Sequence, residues 1–322
     1  MIKGVTVIIC TLNGSDRLTE TLNHVARQSN PNKISWEVIL ADNGSSDNSI
    51  ALTQALWNDY GQVNVPLTVV IESTPGKLYA LQKAIACAKY EYLIICDDDN
   101  WLDSDYMNLA YETLECMPNV AALGGHGLPV TSGVPLPGWF KDYCSAYAVG
   151  AQARQTGFLP PRDLLWGAGL TTRKEVYQKL YAKFPSFLEE HMNKNVLSAE
   201  DTEYCMRLIL KGYKLYYNSS MRYQHFIPDH KLTLDYRDNR LMAGFKEANK
   251  VLAMYYAAMR ALIKTKNRPD IWLALLFISP INYLFASSAS QSKRARYTLY
   301  FLLPFGKAPN SIAAKIKRFI RS

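Results

Sequence analysis

Tyr92-Leu-Ile-Ile-Cys-Asp-Asp-Asp99 is the stretch that decides the fold. Five apolar residues run without a break into three carboxylates. A short, near-continuous apolar run is the pattern of a strand buried on both faces, and such strands belong to parallel sheets flanked by helices. Ligands of these sheets bind beyond the carboxyl ends of the strands, which is where the three aspartates stand. Two ionised carboxylates about 5 Å apart repel by roughly 3 kcal/mol at an effective dielectric near 20. Three in succession call for a cation or deep solvation. Oxygen ligands with few carboxylates suit Mg²⁺ or Mn²⁺ bridged to a phosphate-bearing substrate. The plainer alternative is an exposed acidic turn capping the next helix, for which Asp103 and Ser104 are also available. Alternation predicts Asp97 and Asp99 on one side and Asp98 on the other.

The pattern repeats on either side of this stretch. Val5–Cys10, Trp36–Ala41, Leu67–Ile71 and Val120–Leu123 read as further strands, and Asp16–Gln28, Asn48–Tyr60, Lys77–Ala88 and Ser104–Met117 as helices. Polar residues follow several of the strands: Thr11-Leu-Asn13, Asp42-Asn-Gly44 and Glu72-Ser73. Residues 126–165, with five prolines and many aromatics, read as a long irregular loop of the kind that carries function. Trp166-Gly-Ala-Gly169 opens a strand before a helix at Arg173–Lys183. Glu200–Lys211 is another helix, Lys214–Tyr217 and Met221–His225 are closing strands, and a helical stripe runs from Tyr236 to Lys264.

Val-Ile-Ile-Cys-Thr-Leu-Asn13, Glu37-Val-Ile-Leu-Ala-Asp-Asn-Gly-Ser-Ser-Asp47 and Ile-Cys-Asp-Asp-Asp99, in this order and spacing, resemble the family 2 glycosyltransferases across residues 3–105, and more loosely to about 230. The resemblance implies an α/β GT-A fold, a Rossmann-like and mostly parallel sheet with helices on both faces. It also implies a nucleotide-sugar donor, Mg²⁺ or Mn²⁺, and inversion at the anomeric carbon. By the same resemblance Thr11 and Asn13 line the nucleoside pocket, and Asp42 accepts a hydrogen bond from the base, usually uracil. Asp97, with Asp98 beside it, falls on the donor and Asp99 on the metal, joined by His225, for which His230 is the nearby alternative. Lys77 is the phosphate cation in a segment covering the donor. Many members carry Arg-Asn or Leu-Asn where this chain has Leu81-Gln82, so donor-sugar contacts do not carry over. Gly167 and Gly169 match a glycine loop beside the sugar, although the glycines alone read as a tight turn. In Ser198-Ala-Glu200-Asp201 the resemblance makes the acidic pair catalytic, with Asp201 the base. On its own residues the same motif is a capping box, Asp201 returning to Ser198.

The formal net charge of +8 is unevenly placed. Residues 1–230 carry −5 and residues 231–322 carry +13, from 17 Lys and Arg against 4 Asp and Glu. The division expected is a GT-A domain over 1–230 and a basic, partly apolar helical extension over 231–322. Ile271–Ala286 is apolar but short for a spanning helix, which needs about 20 such residues. Ser311–Ser322 sets Ile312, Ile316, Phe319 and Ile320 on one face with Lys and Arg mostly off it, the pattern of a basic amphipathic helix on an anionic membrane. The alternative is a helical subdomain or dimer interface. Six scattered cysteines without a CxxC pair, and no signal peptide, give the expectation of a cytoplasmic protein at the inner face of the membrane.

The function expected is transfer of a sugar, from a UDP-sugar by preference, to a hydroxyl of a glycan or lipid-linked acceptor in cell-surface polysaccharide synthesis. A sugar nucleotidyltransferase is the competing enzyme class, but Thr11-Leu-Asn-Gly-Ser15 lacks its basic phosphate loop. A non-catalytic, membrane-attached nucleotide-sugar binder is the third reading. Nucleic acid is not an expected partner, because long apolar runs interrupt the basic region.

Overall fold

The computed structural model describes residues 1–60, 64–188, 199–263, 268–286, 288–303 and 307–322. The chain forms two compact units. The first is Met1–Lys179 with Lys214–Met242, the second Leu180–Tyr213 with Ala243–Ser322.

The first unit is built on a sheet of β1 (Ile2–Thr11), β2 (Trp36–Asp42), β3 (Leu67–Ile71), β4 (Tyr90–Asp97), β5 (Asn100–Leu102), β6 (Val120–Val130), β7 (Gly157–Phe158), β8 (Leu170–Arg173) and β9 (Lys214–Phe226). The order is β3-β2-β1-β4-β8-β6-β9-β5, with β7 on β9. The block β3-β2-β1-β4 is parallel throughout, as continuous apolar strands require when both faces are covered. Helices α1 (Leu18–Ala26), α2 (Ser49–Asp59), α3 (Lys77–Cys87) and α4 (Tyr106–Cys116) make the crossovers. Val5, Val7, Ile9, Val38, Leu40 and Ile94 lie in one buried cluster with Leu22, Val25, Leu114 and Trp57. Each such side chain contributes about 1.5–3 kcal/mol when fully buried. Beyond β4 the sheet is mixed. β8 enters antiparallel to β4 and β6, and β6 then pairs parallel with β9.

β6 and β9 run well past their apolar runs. β6 extends to Val130, into the stretch read as loop, and β9 spans both closing strands as one. The polar break Asn218-Ser-Ser220 is absorbed by a register shift in the β6–β9 pairing between Gly124 and His126. The rest of the loop is pinned by a small aromatic core of Phe140, Tyr147, Val149, Ile227 and Leu232.

The second unit contains α6 (Glu200–Leu210), α7 (Ala243–Leu262), α8 (Pro269–Leu284), α9 (Ala289–Leu302) and α10 (Ser311–Arg321); α5 (Lys174–Tyr181) runs into it from the first. Its centre is a buried cation. Arg207 on α6 is fully enclosed and bonds Glu203 at 2.9 Å, the Tyr255 hydroxyl at 3.0 Å and the carbonyls of Leu180, Phe184 and Pro185. The rings of Tyr181, Phe187 and Phe319 lie over its guanidinium. This corrects the sequence-based expectation for the C-terminal helix. The apolar face of α10, with Ile312, Ile316 and Phe319, is buried inside the unit, so it is not free to lie on a membrane. The amphipathic pattern is that of a helix packed against a protein core, which the hydrophobic face alone does not distinguish from one packed on lipid. No described helix is long and apolar enough to cross a membrane.

Candidate active site

The parallel register brings the carboxyl ends of β1, β2 and β4 to one edge, pairing Thr11 with Asp42 and Cys10 with Asp97. β4 ends at Asp97, and Asp98 and Asp99 form a turn into β5, so simple strand alternation stops at the first aspartate. The three carboxylates reach four basic partners between them, none of them shared. Asp97 pairs with Lys77 Nζ at 2.5 Å, at the start of α3. Asp98 is gripped by one edge of the Arg17 guanidinium, Nε at 3.2 Å and Nη2 at 3.1 Å, and accepts from Thr11 Oγ1 at 2.7 Å. Asp99 meets Lys231 Nζ at 3.0 Å and His225 Nε2 at 3.4 Å. The repulsion that seemed to demand a bound cation is therefore offset by the chain's own side chains.

Burial pushes both Asp98 and Asp99 upward, but their neighbours leave the two shifted in opposite directions. For Asp98 burial wins over the Arg17 hydrogen bond and the carboxyl is raised above its ordinary value. For Asp99 burial also pushes upward, but His225 and Lys231 outweigh it and hold the group well below the usual carboxylate range. The Lys231 ammonium loses to burial and regains more from Asp99, so its value rises. An ionised Asp99 beside a charged Lys231 is the resting arrangement.

The β5–β9 register puts His225 opposite Asn100, one residue from Asp99. Tyr147, from the proline-rich loop, organises both of Asp99's partners. Its carbonyl lies 2.7 Å from His225 Nδ1, and its hydroxyl donates to the Lys231 carbonyl at 2.8 Å. A carbonyl only accepts, so Nδ1 carries a proton, and in a neutral ring the Nε2 lone pair would face Asp99 Oδ1. Two acceptors so opposed are reconciled by a proton on Nε2 or by a cation drawing on both, with the imidazole oriented from behind as in metal sites. Among the described residues no group of three or more His, Cys, Asp and Glu side chains is placed to hold a metal.

Asp42 is 1% exposed. Its Oδ1 accepts from the amides of Gly44 and Ser45, each at 3.0 Å, while Oδ2 has no hydrogen-bond partner among the described residues. An orphaned buried carboxylate oxygen costs about 1–3 kcal/mol or more, so its persistence points to a ligand donor. Asn13, at φ 52°, accepts from the Ser46 amide at 2.8 Å and ties the β1 loop to the β2 turn. Thr11 spends its hydroxyl on Asp98.

β8 starts beside the end of β4, with Leu170 opposite Ile95, so Gly167 and Gly169 lie just before it at the same edge. Gly169, at φ +68°, owes its identity to packing, since a Cβ there would stand 2.4 Å from the buried Tyr106 hydroxyl, which also donates to its carbonyl. Gly167 accepts from the Leu170 amide in the same turn. Glu200 and Asp201 open α6 in the second unit, where Asp201 Oδ1 accepts from the Thr202 amide. Ser198 lies outside the described residues, and with it the capping box. Ala199, the residue before α6, is left-handed at φ 106°, a strained setting for a non-glycine.

Three site residues escaped the sequence reading: Arg17, Lys231 and Gly14. A Cβ on Gly14 would lie 2.3 Å from both Asp98 Oδ2 and Thr11 Oγ1, so only glycine lets this loop close on the acidic turn. Gly14 was in view beside Thr11 and Asn13. The two cations are remote in sequence from their partners and carry no local signal.

The family Glycosyl transferase family 2 matches residues 6–128, and Glycosyl transferase family group 2 matches residues 92–308. The poly-beta-1,6-N-acetyl-D-glucosamine synthase of Staphylococcus aureus (strain MSSA476) is 28% identical over 127 residues, 39% of this chain; that of Staphylococcus epidermidis (strain ATCC 35984) is 29% identical over 125. The chain spans 29% of the length of these relatives. Among solved structures, Staphylococcus aureus TarS 1-349 in complex with UDP-GlcNAc superposes with a TM-score of 0.51 at 17% identity, covering 93% of this chain and 71% of that one. The mannosyltransferase PcManGT from Pyrobaculum calidifontis, in complex with GDP-Man and Mn²⁺, gives 0.56 at 19% identity, covering 94% and 86%. The fold is GT-A, with helices following it at the C-terminus. A family match extending well past half the chain, on a sheet whose rim carries the Asp97–Asp99 turn, makes this a member of the family 2 glycosyltransferases.

Proposed function

We propose that the chain is an inverting glycosyltransferase that moves a sugar from a UDP-sugar to a hydroxyl of a glycan or lipid-linked acceptor in cell-surface polysaccharide synthesis. The observation that carries the nucleotide is the free Oδ2 of Asp42, a buried acceptor matched to the N3–H of uracil. TarS bound to UDP-GlcNAc, and relatives that are polymer synthases, support donor and product class.

In this reading residues 1–230 bind the donor and 231–322 hold the enzyme at the membrane. Asn13 shapes the nucleoside pocket and Thr11 fixes Asp98 there. Asp97 and Asp98 serve the donor, and Lys77 and Lys231 present ammonium groups to the diphosphate. Gly167 and Gly169 leave room beside the sugar. Asp99 and His225 fit a divalent cation, Mg²⁺ or Mn²⁺, with phosphate oxygens and water completing its shell. PcManGT with Mn²⁺ supports this. When bound, that cation would offset charge on the departing diphosphate. Asp201 takes the proton of the acceptor hydroxyl, whose oxygen bonds the anomeric carbon as the bond to UDP breaks on the opposite face. Glu200 flanks it. Asp201 stands in the first turn of α6, where a helix N-terminus favours negative charge. The chain acts at the cytoplasmic face of the membrane.

Thermal unfolding with UDP, UDP-GlcNAc or GDP-mannose, with and without Mn²⁺, tests the reading together with Asp42→Asn. Asparagine keeps the oxygen that bonds Gly44 and Ser45, so the free variant should melt like the parent protein. Its UDP affinity should fall at least tenfold. Equal UDP affinity in the variant, or no stabilisation by any nucleotide, defeats the proposal.

A further inference from the structure

The second unit leaves one helix poorly covered. α8 buries Leu275 and Ser279 and turns the opposite face outward, with Leu273, Phe277, Ile278, Ile281, Leu284 and Phe285 exposed. Phe277 is 68%, Leu284 74% and Phe285 80% exposed. These residues share one face, since 273, 277, 281 and 284 recur at helical spacing. An apolar patch this continuous is a binding surface or an aggregation hazard. α8 packs against α9, which exposes Lys293, Arg294 and Arg296 just after the turn that follows Phe285.

We infer that this α8 face, flanked by the basic start of α9, is the chain's seat on an anionic lipid surface. The inference rests on the proposed membrane attachment and relocates it from α10 to α8. Charge chooses the occupant. A second copy would bring the same excess of 17 Lys and Arg over 4 Asp and Glu in residues 231–322, which repels, whereas anionic headgroups attract it. Length fixes the mode. Sixteen residues span about 24 Å at 1.5 Å each, short of a hydrocarbon core of about 30 Å. α8 therefore lies in the interface, apolar face down, with the lysine and arginine heads among the phosphates.

The test is co-sedimentation of the whole chain with phosphatidylcholine vesicles, with or without about a third phosphatidylglycerol. Three variants are compared: Phe277→Glu/Leu284→Glu on α8, Lys293→Glu/Arg296→Glu on α9, and Lys315→Glu/Arg318→Glu on α10. Binding should require the anionic lipid and weaken with salt. The α8 and α9 variants should bind at least tenfold less tightly, the α10 variant much less affected, with UDP-dependent thermal stabilisation retained as the check on folding. If the parent chain binds no vesicle, membrane attachment itself falls. If it binds and the α8 variant binds equally, only the seat is refuted. If the α8 variant instead turns a dimer into a monomer in light scattering, the face belongs to a second copy and the inference is overturned.

Discussion

Lys231→Met isolates what the lysine does for Asp99. The ammonium sits 3.0 Å from Oδ2, where attraction between unit charges is about 5–6 kcal/mol at an effective dielectric of 20. Most of that offsets desolvation, because the Asp99 side chain is 8% exposed. Removing one partner of a buried pair costs about 3–5 kcal/mol, chiefly through the charge left behind. Methionine preserves the length and apolar stem, so the loss is electrostatic. The metal-free variant should be less stable than the parent by about 3 kcal/mol, taking the low end because His225 still faces the other oxygen. The uncompensated carboxylate should then draw in a divalent cation. Mn²⁺ without nucleotide should restore most of the lost stability and bind the variant at least tenfold more tightly than the parent. Thermal unfolding in chelator against Mn²⁺, with free Mn²⁺ counted by electron paramagnetic resonance, reads both quantities. Equal stability in chelator and equal Mn²⁺ affinity would refute the reasoning, because the lysine would then be neither guarding nor balancing the carboxylate.

Gly14→Ala should displace the Asp98 carboxylate or the Thr11 hydroxyl and cost about 1–3 kcal/mol of stability, with UDP affinity falling by a larger factor than for substitutions on α1; calorimetry measures both. Arg207→Met strands Glu203 among Tyr255, Phe187 and Ser186 and should cost about 3–5 kcal/mol, seen as a lower urea midpoint. Arg207→Lys should rescue little, since one ammonium cannot reach Glu203, Tyr255 and three carbonyls together. Asp201→Asn should leave UDP binding unchanged and abolish transfer, checked by titration beside a product assay; retained transfer removes the base assignment.

The parallel half of the sheet was legible in sequence because burial on both faces forces unbroken apolar runs, and β2, buried at every position, follows its run to within one residue. The order of β8, β6 and β9 was not, since an antiparallel insertion leaves no trace in periodicity. Asp97–Asp99 announced a site by local density of charge. Half of what neutralises them was invisible, because Arg17 and Lys231 are brought in by tertiary structure from 81 and 132 residues away. The amphipathic pattern of α10 was read correctly as a pattern and assigned to the wrong neighbour, since the partner that buries Phe319 is Arg207 on a distant helix.

β9 stands inside the sheet between β6 and β5, yet it is reached only after the chain has left for residues 180–213 and come back. On the ribosome, the first 179 residues therefore emerge with β6 lacking its inner neighbour and His225 still unmade. An open strand edge persists for the time it takes to synthesise about forty more residues, a few seconds at ~5–20 residues per second. The acidic turn thus meets its last two partners, His225 and Lys231, only after the chain has returned to the sheet.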